Sequence, residues 1–392
     1  MRQKILILCE YFPPAEKAGG PLRTLEAIAA TLSEKYEVFV LTKGFDFRSA
    51  LPLAGVKLDS WNPRGNYQVY YTDQNSMSAF LYFRICKEKQ PDLIYLNSFF
   101  SPKFSFFPMI TSFLITSHFL CSPRGELSAE ALSIKKIRKA TYLFFTKWIW
   151  KWRFMFAASS EKERIEIESS LRAQPERCVV LPEPTVSSDY QFSKIEKRVG
   201  SLKILFLARL NPIKNLSFAI NCVKECPQAE MNIYGPINSF EEQKYWEKCL
   251  NLIKENNLGN RIHYFGEIAN SDVASLISDH HLLFAPSSSE NFGHTILESL
   301  SAGRPVLIGD RTPWSEVEKL RAGYALPLVD RRAFISALKY FRSLNPEEFD
   351  VLCKNAKEAS RLLYSNEYAK SSWLKFMDQL FSNSARDVGP GS

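Results

Sequence analysis

Residues 281–302 switch from a strand-like to a helix-like pattern within one short stretch, and that switch narrows what the chain can fold into. His281-Leu282-Leu283-Phe284-Ala285-Pro286 is an apolar run of the length that forms a buried strand, Ser287 to Ser289 reads as a loop, and Thr295 to Ala302 sets Ile296, Leu297 and Leu300 on one side of a helix. The same alternation of short β-rich runs with helical stretches recurs along the chain, which predicts an α/β fold of parallel sheets covered by helices. With 392 residues, 45% of them hydrophobic, the chain is long enough for two domains with separate cores.

The stretch also carries chemistry. Glu290 falls at the mouth of the predicted strand and Glu298 on the helix, eight positions apart in Glu-Asn-Phe-Gly-His-Thr-Ile-Leu-Glu. A helix N-terminus between them suits a phosphate, while the two carboxylates accept hydrogen bonds from neutral hydroxyls on either side. Sugar, diphosphate and ribose in that order describe a nucleotide-sugar.

This arrangement closely resembles the Glu-x7-Glu signature of the retaining glycosyltransferases of family 4. Further motifs carry the resemblance along the chain: Lys4-Ile5-Leu6-Ile7-Leu8-Cys9, then Tyr11-Phe12-Pro13-Pro14 and Ala18-Gly19-Gly20-Pro21-Leu22, and at mid-chain Ile204 to Asn215. The resemblance implies the GT-B architecture, two Rossmann-like domains facing across a cleft, with a C-terminal helix crossing back to the first domain. The expected division is 1–182 for the acceptor-binding domain, 183–201 for a linker, 202–363 for the nucleotide-sugar-binding domain, 364–383 for the crossing helix and 384–392 for a disordered tail. Trp373, Leu374, Phe376, Met377 and Leu380 are the apolar contacts expected of that helix.

On the donor side, Arg209 and Lys214 stand just beyond a buried strand, where ligands bind in open α/β sheets. The resemblance gives both the task of neutralising charge on the leaving nucleotide; the alternative is a surface ion pair. It makes Arg209, Lys214 and Glu290 the catalytic set, with Glu290 on a sugar hydroxyl, Glu298 on the ribose, and Asn291, Phe292, Gly293, His294 and Thr295 around the sugar and phosphate. Helix capping by Glu290 and mere packing of the His294 ring are the plainer readings. Tyr234 and Gly235 close a further predicted strand and wall the nucleotide pocket, while Gly19 and Gly20 let the backbone approach the phosphates.

The acceptor side rests on Ser122-Pro123-Arg124-Gly125-Glu126-Leu127 after the strand Phe119–Cys121. Relatives often place a histidine in this loop where the present chain has Arg124, a departure that leaves open whether Arg124 takes over a histidine's role. Arg124 is then expected to meet a phosphate or acidic sugar and Glu126 an acceptor hydroxyl, with a structural ion pair as the alternative. His118 sits at the opposite end of the strand and reads as structural.

The implied reaction is retaining and metal-independent, with no cofactor beyond a UDP- or GDP-linked donor. The implied product is an extended glycan or lipid-linked saccharide of a bacterial surface polysaccharide. A GT-B epimerase or a non-catalytic nucleotide-sugar-binding protein are the competing classes; a phosphorylase-like enzyme would need a pyridoxal-binding lysine that cannot be located.

The eight cysteines lack a paired Cys-x2-Cys or a histidine pattern, so zinc is not expected and a reduced setting is. The N-terminus enters a strand without a signal peptide, and the tract Phe99–Leu120 is broken by Pro102, Lys103 and Pro108, which predicts a buried helix and strand rather than a span. The net charge of +8 concentrates at residues 135–155, where lysines and arginines interleave with aromatic residues. Helical spacing groups Ile137, Thr141, Phe144, Phe145, Trp148 and Trp152 as the expected core face, and Leu143, Trp150 and Phe154 with Lys136, Lys139 and Lys147 as the expected outer one. An anionic membrane surface is the partner this second face suits, which implies a cytoplasmic protein peripheral to the inner face of the cell membrane. No nucleic-acid-binding module surrounds the cluster.

Overall fold

The computed structural model of the chain describes residues 2–16, 21–73, 77–133, 136–185 and 194–387. Its contacts divide into two compact units: Met1–Ser187 with Asn366–Ser392, and Ser188–Ser365.

The first unit is built on strands β1 (Lys4–Leu8), β2 (Glu37–Lys43), β3 (Trp61–Arg64), β4 (Tyr67–Thr72), β5 (Leu93–Leu96), β6 (His118–Cys121), β7 (Met155–Ala158) and β8 (Cys178–Val180). They form an eight-stranded sheet in the order β3-β4-β2-β1-β5-β6-β7-β8, parallel except for the β3–β4 edge pair. Ile5 to Leu8 and Leu93 to Leu96 are fully buried, the continuous apolar runs that a parallel sheet covered on both faces requires. From β1 the chain first builds outward on the β2 side and then on the β5 side, so the topological switch point lies between β1 and β5.

Apolar layers cover both faces of this sheet. One gathers Tyr82, Phe99, Trp150 and Phe154; the other gathers Leu25, Ile28 and Leu32 with Trp373, Phe376, Met377 and Phe381 of the helix Asn366–Asp387. This C-terminal helix is therefore part of the first unit's core. It is tied there by the Trp373 indole N–H donating to Pro182 O at 3.1 Å, and by Asp378 meeting Lys35 at 2.6 Å and Tyr36 at 2.5 Å. Where the chain leaves and re-enters the unit, Thr185 N donates to Asn366 Oδ1 at 3.0 Å and Asn366 Nδ2 returns a bond to Thr185 O at 3.1 Å. The helix continues through residues 384–387, part of the stretch expected to be a disordered tail; residues 388–392 lie outside the described residues.

The helix Lys136–Arg153 reverses the expectation drawn from its sequence. Trp150 and Phe154, just beyond its end, are completely buried, whereas Phe144 is 81% and Trp148 64% exposed. Ile137, Phe145 and Trp152 face solvent with them. The spacing grouped the aromatic residues of each face correctly and assigned the two to the wrong sides, while Lys136, grouped with Trp150, is exposed. Trp150 packs against Phe99 and Phe154 in tilted pairs with ring centroids 4.4 Å apart in each, and its indole N–H donates to Tyr142 Oη at 3.3 Å. A helix apolar on two faces gives periodicity no means of choosing which one meets the sheet.

The second unit carries β9 (Leu202–Leu207), β10 (Ala229–Tyr234), β11 (Ile262–Tyr264), β12 (Leu282–Ala285), β13 (Val306–Gly309) and β14 (Gly323–Leu326). These make a parallel six-stranded sheet ordered β11-β10-β9-β12-β13-β14. Its switch point falls between β9 and β12.

Two adjacent histidines anchor the entry to β12. Lys203 N donates to His281 Nδ1 at 2.8 Å, so His281 Nε2 carries the proton that reaches Glu196 O at 2.9 Å. His280 Nδ1 lies 2.7 Å from Leu276 O and its Nε2 3.0 Å from Asn232 Nδ2, an arrangement that likewise uses a neutral ring. Burial lowers both imidazoles, pushing His280 down to about 4. An unfolded histidine titrates near 6.5, so the stabilisation is complete above about 6.5 and is lost as pH falls toward 4, about 3 kcal/mol for His280 alone. Native-state hydrogen exchange should therefore show the amides of β9 and β12 losing protection between pH 7 and pH 5; protection that stays constant over that range would exclude the linkage.

Among the described residues no helix is long and apolar enough to cross a membrane. The tract Phe99–Leu120 forms a π-helical turn, the helix Phe107–Thr111, a 3-10 turn and strand β6.

Candidate functional site

In the second unit, the loops following β9 and β12 lie on either side of the switch point, where an open α/β sheet leaves a crevice beyond its strand ends. Asn211 caps the turn Pro212–Lys214 after β9 by accepting from Lys214 N at 3.2 Å, and Ser288 N, after β12, donates to Ile213 O at 2.8 Å. That bond joins the two loops and brings together residues 76 apart in sequence: Lys214 Nζ lies 2.5 Å from Glu290 Oε1. Ser287 Oγ donates to the same carboxylate oxygen at 2.8 Å. Both Ser287 and the Glu290 side chain are nearly enclosed, the latter 12% exposed, so this carboxylate is held in one orientation by a cation and a hydroxyl.

Glu290 leads into the turn Asn291-Phe292-Gly293 and the helix His294–Ser301. Gly293 precedes the helix with φ +82°, and a Cβ there would come within 3.0 Å of Ile296 Cδ1 and 3.2 Å of the Trp314 indole nitrogen. The residue at the N-cap position, Gly293, offers no side-chain cap, and the first turn of this helix holds no acidic residue. First-turn amides have no acceptor within the helix and sit at the positive end of its dipole. His294 is the first helical residue, its ring 4.7 Å from that of Phe292; the Trp314 indole N–H donates to Phe292 O at 2.5 Å and fixes the turn. Thr295 is half-buried in the same turn, and Glu298, one turn further along, is only 9% exposed.

Arg209 lies beyond β9, exposed, and among the described residues it forms no ion pair. Tyr234 ends the neighbouring β10 and Gly235 follows it. Gly235 has φ +145°, and a Cβ would meet Ala208 O at 1.9 Å, so the chain passes the β9 loop at a distance only glycine permits. The Tyr234 ring stacks on Phe265 at 5.0 Å and 12°, an aromatic platform at the strand ends. Arg209, Lys214, Tyr234, Gly235 and the residues from Glu290 to Glu298 thus share the C-terminal edge of one sheet. Gly19 and Gly20 lie outside the described residues. Ser287, Asn211 and Trp314 are contributors the sequence reading passed over; Ser287 looked like ordinary loop, and its only signal was its place three residues before Glu290.

Arg124 and Glu126 sit after β6 in the first unit, close to that unit's own switch point, with their polar atoms taken up by the fold. Arg124 donates Nε to Asn97 Oδ1 at 2.9 Å, Nη1 to Glu183 Oε1 at 2.7 Å and Nη2 to Tyr95 Oη at 2.9 Å. Glu183 in turn accepts from Thr24 Oγ1 at 2.9 Å. Glu126 accepts from Phe99 N at 2.7 Å, Phe100 N at 2.9 Å and Ser98 Oγ at 3.0 Å. These bonds hold both side chains in place and brace the loop Ser122–Leu127, as the structural alternative would have it. Their partners, up to 59 residues away, were not visible in the local sequence.

Residues 187–359 match the family model described as glycosyl transferases group 1. The chain is 29% identical over 134 residues to the UDP-N-acetylglucosamine–peptide N-acetylglucosaminyltransferase GtfA subunit of Streptococcus agalactiae, covering 32% of this chain and 24% of that protein. The chain spans a quarter or less of the length of the curated relatives it matches. Among solved structures, sucrose-phosphate synthase (tll1590) from Thermosynechococcus elongatus superposes with a TM-score of 0.79 at 17% identity, covering 97% of this chain and 100% of that one. Anabaena Alr3699/HepE, solved in complex with UDP and glucose, superposes with a TM-score of 0.73 at 18% identity, covering 96% and 100%. The fold is thus that of GT-B glycosyltransferases, with two Rossmann-like domains. The group 1 match falls almost wholly within the second unit, Ser188–Ser365.

Proposed function

We propose that this protein is a retaining glycosyltransferase that moves a sugar from a UDP- or GDP-linked donor to a glycan or lipid-linked saccharide in surface-polysaccharide synthesis. The observation that carries the reading is the meeting of Lys214 and Glu290 at the switch point between β9 and β12, directly before a helix start whose N-cap residue is Gly293. The group 1 match covers this same unit.

In this reading the diphosphate lies against the amides at 293–295, with Arg209 and Lys214 supplying positive charge where the leaving phosphate gains its negative charge. An ammonium has three N–H donors, of which Lys214 directs one at Glu290. Glu290, aligned by Lys214 and Ser287, accepts from a sugar hydroxyl, Glu298 accepts from the ribose, and Tyr234 with Phe265 walls the base. The acceptor oxygen bonds to the anomeric carbon on the face the leaving phosphate departs from; the carbon–oxygen bond to phosphate breaks, and the acceptor proton passes to the released diphosphate. The protein cations do the electrostatic work often given to a divalent ion, so we propose a metal-independent reaction. The acceptor role first given to Arg124 and Glu126 passes to the loop they shape.

The test pairs Glu298→Gln with Glu290→Gln. The parent should show a raised melting temperature with UDP or GDP, since a ligand of the native state stabilises it according to its occupancy. Glu298→Gln should weaken that response, whereas Glu290→Gln should keep it and lose transfer from the matching nucleotide-sugar. Equal loss of nucleotide binding in both variants, or a parent indifferent to both nucleotides, overturns the assignment.

A further inference from the structure

The face that the helix Lys136–Arg153 turns to solvent has no use in the transfer chemistry. Phe144, Phe145, Trp148 and Trp152 stand on it, and Phe113 of the preceding segment stacks on Trp148 at 6.0 Å beside exposed Leu114. Large side chains gathered in this way mark an interaction surface, whereas scattered ones do not.

The charge carried by the helix itself is of one sign. The helix carries six basic residues and no acidic one. Lys136 and Arg138 are exposed at its start, and Lys147 and Lys151 flank the aromatic residues. Lys147 is lowered by partial burial and then by the nearby Arg172 and Lys151 charges, so cations here stand close to one another. On the adjacent helix Glu161–Leu171, Glu161 and Glu168 are both taken by Arg164.

We propose that this face docks the protein on an anionic lipid bilayer, with the aromatic side chains at headgroup depth and the lysines against the lipid phosphates. Tryptophan and phenylalanine favour that depth, and basic neighbours supply the attraction. A second copy of the chain is the poorer occupant, because a two-fold contact would set the same cations against each other. The proposal does not depend on the transfer reading: nucleotide binding and vesicle binding are measured separately, and either can fail alone.

The experiment is co-sedimentation of the full chain with vesicles of phosphatidylcholine alone or mixed with phosphatidylglycerol. The parent should bind the mixed vesicles, weaken in high salt and leave the neutral ones in solution. Lys147→Glu with Lys151→Glu should reduce binding on the order of fivefold for each positive charge removed, and Phe144→Ser with Trp148→Ser should abolish it. Both variants should keep the parent's melting temperature, since the altered side chains are outside the core. Three outcomes overturn the proposal: a parent that binds no vesicle, equal binding to neutral and anionic vesicles, or a dimer in sedimentation velocity that the same substitutions dissociate.

Discussion

Lys214→Ala is expected to slow sugar transfer by about 10²–10³-fold at saturating donor, the loss typical of removing one preorganised group that stabilises developing negative charge. Two effects act together. The ammonium lies 2.5 Å from Glu290, and its removal takes positive charge from the leaving phosphate and leaves an almost enclosed carboxylate with, among the described residues, the Ser287 hydroxyl as its remaining side-chain partner. Lys214→Arg separates them: it retains charge but alters a single-point contact, so it should recover part of the rate. Arg209→Ala removes exposed charge without disturbing Glu290 and should weaken donor binding and slow transfer without lowering the melting temperature. Steady-state rates, with melting temperature as a control for folding, make the comparison. A Lys214→Ala protein that folds and turns over within a few-fold of the parent would remove Lys214 from the chemistry.

Trp150→Ala should destabilise the first unit by about 3–5 kcal/mol, the cost of truncating a buried aromatic side chain, whereas Trp148→Ala, two residues earlier, should stay within about 0.5 kcal/mol. The contrast follows from packing. Trp150 fills the space between Phe99 and Phe154 and donates to Tyr142, so its loss leaves a cavity and a Tyr142 hydroxyl that keeps its bond to Phe99 O but has lost its donor. Trp148 rests on Phe113 at the surface, and its loss leaves a space that water fills. Denaturant unfolding followed by circular dichroism measures both. Equal costs at the two positions would contradict the inside-outside assignment of the helix.

That helix shows where sequence reading stops. Both of its faces were legible as faces, because helical spacing is a local property. Which one packs on the sheet depends on Phe99, Phe119 and Phe156, which belong to other elements. Arg124 and Glu126 illustrate the same limit: a charged pair in a loop after a strand looks like a site until Asn97, Glu183 and the amides of Phe99 and Phe100 are found on it. The strand-loop-helix unit around Glu290 was readable for the opposite reason. Its strand, turn glycine and helix are contiguous, and the βα order sets that loop at the C-terminal end of a parallel strand. Sequence offered no measure of the Lys214–Glu290 distance; the loop-to-loop bond from Ser288 to Ile213 sets it.

The reciprocal bonds between Thr185 and Asn366 have a consequence for how the protein is made. The first unit's sheet is synthesised before the second unit, yet Trp373, Phe376, Met377 and Phe381, which cover one of its faces, come afterwards. At about 5–20 residues per second, the wait is roughly 10–40 s. During that interval Ile5, Leu25 and Leu32 belong to a layer without its cover, while residues 188–365 form a continuous segment able to complete its own core as it emerges. A nascent chain stalled before residue 366 should expose the first unit to proteases and chaperones, even with the second unit already folded.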